Sequence, residues 1–83
     1  MLPQRLKEAR LRAGLSQQRL GVLAGIDEST ASARMNQYER GVHTPDFDLA
    51  CRLATVLDIP ASYFYTVEDE LAELVLNFRS TKK

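Results

Sequence analysis

The sequence is poor in the residues that build disulfide-bonded, metal-bound or membrane-spanning proteins. Its 83 residues include one cysteine, Cys51, and one histidine, His43. A single cysteine excludes an intramolecular disulfide, and a single histidine leaves no Cys/His cluster with the spacing of a zinc site. No signal-peptide core is present, nor any apolar run near the roughly 18 residues of a membrane span. We therefore expect a cytoplasmic domain without a membrane partner, metal or cofactor.

The sequence also lacks a net charge, with eleven basic and eleven acidic residues. Neutrality by itself argues against a nucleic-acid partner, since a basic composition is the usual electrostatic signature. The average hides an asymmetry, because residues 1–41 carry seven basic and four acidic side chains, whereas residues 42–83 carry four and seven. One face can therefore approach phosphates while another stays acidic, although a short chain also reaches such a split by chance.

Apolar residues at helical spacing are abundant and predict an all-α fold. With 45% hydrophobic residues, the chain suits one compact core. Six helices are expected. The first spans about residues 3–13, and the next three follow the capping residues Ser16, Asp27 and Asp46. A brief fifth helix follows Pro60.

These helices predict a compact five-helix domain over residues 1–65, a C-terminal amphipathic helix over residues 66–79 and a tail over residues 80–83. Thr66 is the expected cap of the C-terminal helix. Its apolar stripe packs on the domain or pairs with a second subunit, because a lone helix of this length is marginal. The stripe, a candidate dimer contact, comprises Leu71, Leu74, Val75 and Phe78.

The fourth helix is expected to bury an apolar stripe against the rest of the domain. Within it, Cys51 is interpreted as a small core residue and not as a reactive thiol. The stripe comprises Phe47, Ala50, Cys51, Ala54 and Leu57.

Residues 16–41 form the most informative stretch, two short helices joined at Gly25-Ile26. This is the layout of a helix-turn-helix DNA reader. Gly25 supplies the positive φ that a tight turn needs, and Ile26 fills the space between the helices. The second helix turns Ala31, Met35 and Tyr38 inward. Its opposite face is polar, small and free of acid, and consists of Ser29, Thr30, Ala33, Asn36, Gln37 and Arg40.

This polar face admits a functional and a structural interpretation. Asn36 and Gln37 can form paired hydrogen bonds to adenine, and small residues let a helix sit deep in the major groove. An ordinary solvated helix more often carries Glu/Lys pairs at i, i+4. The groove interpretation is favoured for that reason.

The first turn of the preceding helix is a candidate phosphate contact. Gln17 and Gln18 lie where backbone N–H groups lack partners and the helix dipole attracts anions. The other candidates for contact with the DNA backbone are Arg5, Arg12, Arg19, Ser29, Thr30, Arg40 and His43, although each charged residue among them could equally be a solvated charge.

Several ordered segments resemble the lambda-repressor-like or Xre (Cro/C1-type) family of helix-turn-helix regulators. The similarity covers about residues 5–65 and rests on residues 5–10, Gly14-Leu15-Ser16-Gln17 with Leu20 and Gly25-Ile26, Tyr38-Glu39-Arg40-Gly41, Thr44-Pro45, Leu53-Ala54 and Leu57-Asp58-Ile59-Pro60. The resemblance implies a five-helix domain that binds operator DNA as a dimer and regulates transcription. It also implies a structural salt bridge between Arg10 and Glu39.

One interval departs from the family pattern. Gly41 lies sixteen residues after Gly25, which exceeds the separation usual in the family by about one helical turn. Matching backward from Tyr38-Glu39 assigns base readout to Ser32, Ala33, Arg34, Asn36 and Gln37. Matching forward from Gly25-Ile26 assigns it to Glu28, Ser29 and Ala33. The backward match is preferred because it keeps Met35 and Tyr38 in the core, and it leaves a longer turn or an extra helical turn near residues 27–31.

The favoured function is sequence-specific binding of double-stranded DNA by a homodimer that represses transcription. An enzyme is not expected, since no nucleophile–base pair, phosphate-binding glycine loop or metal set is present. The alternative is an antitoxin of the same fold that covers a toxin and represses its own operon. A neighbouring toxin gene would favour the antitoxin, and a prophage context the repressor; a toxin or an antirepressor is accordingly a possible protein partner.

Overall fold

Helix boundaries follow the predicted capping residues closely. The structure, a computed structural model, describes residues 1–80, and within that range it contains five α-helices and no strand. The elements, in chain order, are α1 (Pro3–Arg12), α2 (Gln17–Leu23), α3 (Glu28–Glu39), α4 (Phe47–Leu57), a 3₁₀ helix (Ala61–Tyr65) and α5 (Asp69–Ser80). The predicted all-α fold is confirmed, with the brief fifth helix as the 3₁₀ turn.

Side-chain caps start three of these helices. Ser16 Oγ accepts from the backbone N–H of Arg19 at 3.0 Å, and the Asp46 carboxylate accepts from that of Leu49 at 2.8 Å. Asp27 caps α3 in the same way. Each cap satisfies one of the N–H groups that a helix start leaves without an acceptor.

The C-terminal helix begins later than predicted. The Thr66 hydroxyl donates to the carbonyl oxygen of Ser62 at 2.8 Å and therefore does not cap α5, which starts at Asp69. The helix continues through Ser80, so the predicted tail loses its first residue. Residues 81–83 of that tail lie outside the described residues.

The core gathers side chains from every element. Its largest fully buried members are Leu6, Leu20, Met35, Leu53, Tyr63 and Phe64. The prediction that Phe47 is buried was wrong, since this residue is 70% exposed. It lies about 90° around α4 from the centre of the buried stripe, at the first position of the helix. Cys51 is half-buried.

A glycine sets the close approach of α2 and α3. A Cβ atom at Gly21 would lie 3.0 Å from the Cβ of Ala31 and 3.1 Å from the Cγ of Met35. Real side chains rarely tolerate such contacts, because the interior is already close-packed. The absence of a side chain at Gly21 therefore fixes how α3 lies against α2.

Two arginines of α1 hold α5 against the domain. Arg5 donates to the carbonyl oxygens of Thr66 (3.0 Å) and Val67 (3.1 Å) and to the carboxylate of Asp69 (2.9 Å). Arg12 pairs with Glu73 at 3.0 Å. Both residues were candidate phosphate contacts; Arg5 is buried and held by these three acceptors, whereas Arg12 stays about half-exposed beside Glu73.

The apolar stripe of α5 divides between two faces. Val75 packs against the core beside the fully buried Ala72, so it is not an outer-face residue. Leu71, Leu74 and Phe78 are 48%, 63% and 61% exposed, and their i, i+3, i+7 spacing places them on one outward face. The helix therefore packs on its own domain and presents an apolar surface outward.

A buried ion pair joins α1 to the end of α3. Arg10 donates from Nε to Glu39 Oε2 at 2.6 Å and from Nη2 to Oε1 at 3.1 Å, while its Nη1 donates to the carbonyl oxygen of Leu15 at 2.8 Å. The two side chains are only 11% and 3% exposed. A two-pronged contact of this kind fixes orientation as well as distance.

Removing one partner of this pair should destabilise the fold strongly. We expect Glu39→Ala to lower the free energy of unfolding by about 3–5 kcal/mol, because Arg10 would remain as a buried charge without a partner. The matched control is Glu73→Ala, which breaks the exposed pair with Arg12 and should cost at most about 1 kcal/mol. Urea denaturation followed by circular dichroism measures both. Equal losses in the two variants would contradict a structural role for the buried pair.

Candidate nucleic-acid interface

The turn between α2 and α3 is short and internally hydrogen-bonded. The N–H of Gly25 donates to the carbonyl oxygen of Val22 at 3.0 Å, and that of Ile26 to the carbonyl oxygen of Gly21 at 2.9 Å. Gly25 has a φ of +98°, a conformation that residues with a side chain rarely adopt. Ile26 is buried between the helices. The two helices therefore form one rigid helix-turn-helix unit.

The structure shows where the additional residues between Gly25 and Gly41 lie. Helix α3 starts at Glu28, directly after the Asp27 cap, and runs without interruption to Glu39. The residues in excess of the usual interval are therefore helical and do not lengthen the turn. Helix α3 is longer by about one turn for that reason.

The first turn of α2 is held by the buried ion pair. Gln17 donates from Nε2 to Glu39 Oε1 at 3.2 Å, so one carboxylate receives hydrogen bonds from both Arg10 and Gln17. Gln18 and Arg19 are exposed beside it. Because Ser16 caps only Arg19, the amides of Gln17 and Gln18 lack an intrahelical acceptor and can receive an anion.

The outward face of α3 is polar. Ala31, Met35 and Tyr38 are buried as expected. The predicted base readers Ser32, Ala33, Arg34 and Gln37 are exposed, and Asn36 is half-buried. This face is free of acid from Ser29 to Gln37. Glu28 is exposed in the first turn, but helical spacing places it on the side of Met35 and Glu39.

Two of the predicted phosphate contacts have their hydroxyl groups engaged in the α3 cap. Ser29 donates from both its backbone N–H (3.0 Å) and its Oγ to the Asp27 carboxylate, and Thr30 Oγ1 donates to the Asp27 carbonyl oxygen at 3.3 Å. The hydrogen bonds from the Ser29 hydroxyl and then from its backbone N–H lower the pKa of Asp27. Both hydrogen bonds favour the ionised carboxylate, which is the form that caps the helix.

Arg34 folds back along its own helix. Its Nη2 donates to the Tyr38 hydroxyl at 2.5 Å, and its guanidinium carbon lies 5.7 Å from the centre of the Tyr38 ring. This arrangement combines a hydrogen bond with a cation–π contact. To reach a base, Arg34 must leave Tyr38.

The C-terminal end of α3 presents further basic and polar groups. Arg40 and His43 are exposed there. The N–H groups of Val42 and His43 donate to the carbonyl oxygen of Gln37 at 3.0 and 3.4 Å, which ties the following loop to the helix. With Arg19 at the start of α2, Arg40 gives the unit a basic side chain at each end.

An open depression of about 280 Å³ lies between α2 and the start of α3. It is lined by Ser16, Gln18, Arg19, Val22 and Glu28. Glu28 was a base-reading candidate in the forward match from Gly25-Ile26, whereas Val22 was not singled out from the sequence. The side-by-side placement of Val22 and Glu28 requires the fold.

The described part of the chain offers neither a metal site nor a membrane-spanning helix. Across residues 1–80, no group of His, Cys, Asp and Glu side chains could hold a metal ion. None of the helices in this range is both long and apolar enough to cross a bilayer.

Comparison with known proteins agrees with this geometry. No curated protein matches the chain. Among solved structures, it is similar to the crystal structure of transcriptional regulator BswR, with a TM-score of 0.93 and 56% sequence identity, covering 99% of this chain and 81% of that one. The helix-turn-helix family model HTH_3 matches residues 6–64. The chain therefore belongs to the Cro/C1-type helix-turn-helix family.

Proposed function

We propose that the protein is a transcriptional regulator that binds specific double-stranded DNA as a homodimer and represses transcription. The observation that carries the proposal is the rigid α2–α3 unit, whose exposed polar face adjoins the amide-rich first turn of α2. The similarity of the chain to a transcriptional regulator over nearly its whole length supports the same function.

In the proposed complex, α3 lies in the major groove and reads base edges. Asn36 and Gln37 are the principal readers, because their amides can pair with adenine. Ser32 supplies a hydroxyl, and the small Ala33 permits close approach or contacts a thymine methyl group. Arg34 reaches guanine after exchanging its bond to Tyr38 for a base contact.

The start of α2 is proposed to lie on the DNA backbone. Gln18, Arg19 and the amides of the first turn contact phosphates on one side of the groove, while Arg40 and His43 do so on the other. Gln17 takes part through its free amide oxygen and backbone N–H, since its side-chain N–H is donated to Glu39. Ser29 and Thr30 contribute only if phosphates displace Asp27 from their hydroxyls.

The proposed dimer contact is the outward face of α5. Its exposed Leu71 and Leu74 continue the apolar surface that Val75 begins on the core side. The occupant we assign is a second copy of this chain, because one helix-turn-helix module buries only a modest area on DNA and two-fold pairing doubles it. Two modules then reach half-sites about 34 Å apart.

Such a dimer represses by occupying the promoter. The longest dimension of one subunit is 36 Å. Two subunits on half-sites one helical turn apart therefore cover about 20 base pairs. That length is enough to exclude another protein from the same stretch of DNA.

The base readers can be identified by operator selection from a random DNA library. We expect Asn36→Ala and Gln37→Ala each to lose about 1–3 kcal/mol of discrimination at one position of the selected motif. The matched control is Gln4→Ala, which removes an exposed amide on α1. An unchanged motif in both α3 variants would contradict their assigned role.

The loss of a phosphate contact should weaken binding to every DNA sequence to the same degree. We expect Gln18→Ala to lower affinity several-fold without changing the motif, since the loss of one hydrogen bond is worth about 1 kcal/mol. Arg19→Ala should also lower affinity, and it should reduce the magnitude of the slope of log K against log salt concentration by about one. Fluorescence anisotropy with specific and scrambled duplexes measures both effects. An effect confined to the specific duplex would place these residues at bases.

The dimer contact can be tested with two equally exposed leucines. We expect Leu74→Glu to convert the dimer to a monomer, because the stripe would then bury an unpaired carboxylate. Leu11→Glu is the control, since Leu11 lies on α1 with a similar exposure of 57% against 63%. Size-exclusion chromatography with light scattering gives the mass of each. A Leu74→Glu protein that remains dimeric would move the interface elsewhere.

A further inference from the structure

The exposed apolar face of α5 is continued by one residue that precedes the helix. Val67 is 69% exposed and stands four positions before Leu71, about one helical turn. Together with Leu74 and Phe78, these residues form an apolar stripe with successive intervals of four, three and four residues. The pattern is the same in both directions along the chain. A two-fold axis between Leu71 and Leu74 therefore places every member of the stripe opposite another member on an antiparallel copy.

A second open depression lies at the start of this stripe. It has a volume of about 260 Å³ and lies between the first turn of α1 and the segment that leads into α5. The apolar residues that line it are Leu2, Pro3 and Val67, and the polar ones are Gln4, Arg5 and Asp69. Val67 therefore belongs both to the stripe and to the wall of the depression.

The walls of the depression are held in place by hydrogen bonds. Arg5 donates to the carbonyl oxygen of Val67 at 3.1 Å and to the carboxylate of Asp69 at 2.9 Å. On the other wall, the backbone N–H of Leu2 donates to the carbonyl oxygen of Phe64 at 2.8 Å. Both walls are thus tied to the folded domain. A side chain that enters the depression meets a surface that needs little ordering, which lowers the entropic cost of association.

The sequence gives the two ends of α5 opposite charge. Residues 68–70 are all acidic, whereas residues 79–83 include three basic and no acidic residues. A parallel pair of such helices brings like charges together at each end, where they repel. An antiparallel pair brings the acidic start of one helix towards the basic end of the other chain, and it also opposes the two helix dipoles. The charge pattern therefore favours a second copy of this chain in the reversed direction.

We propose that two copies of the chain pair through antiparallel α5 helices, and that the Phe78 ring of each copy enters the depression beside Val67 of the other. The inference rests on the proposed function, since it assumes a homodimer formed through α5. In this register, Leu71 also faces Leu74 of the second copy. Because a two-fold interface is self-complementary, each of these contacts occurs twice. Phe78 is the largest side chain of the stripe, and an aromatic ring in a pocket is a typical interface anchor.

Disulfide cross-linking in a Cys51→Ser background tests this register. We expect no cross-link in Val67→Cys alone or in Phe78→Cys alone, because equivalent residues of an antiparallel pair lie about 17 Å apart along the helix axis. A disulfide requires Cα atoms within about 7 Å. The variant with both substitutions should form a covalent dimer on mild oxidation, which non-reducing gel electrophoresis detects. A covalent dimer of Phe78→Cys alone would indicate a parallel pair and overturn the inference.

Truncation of Phe78 measures the contribution of the ring without introducing a cysteine. We expect Phe78→Ala to raise the dissociation constant of the dimer by about 100-fold, because two rings leave the interface and burial of each is worth about tenfold. The matched control is Phe47→Ala, since Phe47 lies on α4, outside the stripe, with a similar exposure of 70% against 61%. Analytical ultracentrifugation gives both constants. A Phe78→Ala protein that dimerises as tightly as the wild type would contradict the proposal.

The failures of the two proposals are distinguishable. A wild type that stays monomeric at every concentration would overturn the proposed homodimer itself. A wild-type dimer that Leu74→Glu dissociates, but whose stability is unchanged in Phe78→Ala, would retain α5 as the interface and overturn only the antiparallel register with Phe78 in the depression. Circular dichroism of each variant confirms that the helices are intact.

Discussion

The carboxylate of Glu39 is the contact on which the arrangement of the first three helices depends. It lies at the end of α3, accepts two hydrogen bonds from Arg10 of α1 and one from Gln17 of α2. Its side chain is only 3% exposed, so the charge is buried and the loss of a partner would strongly destabilise the fold. The same group therefore stabilises the fold and joins the first turn of α2 to the end of α3.

Local signals in the sequence were sufficient for the helices and their turns. Ser16 and Asp46 cap helices where capping residues precede apolar periodicity, and Gly25 adopts the positive φ that the turn requires. Errors arose where a decision depends on tertiary packing. Phe47 is apolar but lies at the edge of its helix, and Thr66 binds backward to Ser62 instead of starting α5.

The candidate site was predictable as a face but not as a set of contacts. The burial of Ala31, Met35 and Tyr38 could be predicted from their spacing along the helix alone. That Arg5 donates to Thr66, Val67 and Asp69 depends on residues 61 to 64 positions apart in sequence. The spacing of residues in the sequence shows on which side of a helix a residue lies. What packs against that side is determined by the three-dimensional fold.

Helix α1 connects the two surfaces that the proposed function requires. Through Arg10 it holds the end of α3, and through Arg5 and Arg12 it holds α5. In a two-fold dimer formed through α5, the distance between recognition helices is then set by packing and ion pairs within each subunit. A rigid separation restricts binding to half-sites of matching spacing. Under the proposed function, spacing thus becomes a second source of specificity beside the proposed base contacts of α3, and it is encoded in residues that need not touch DNA.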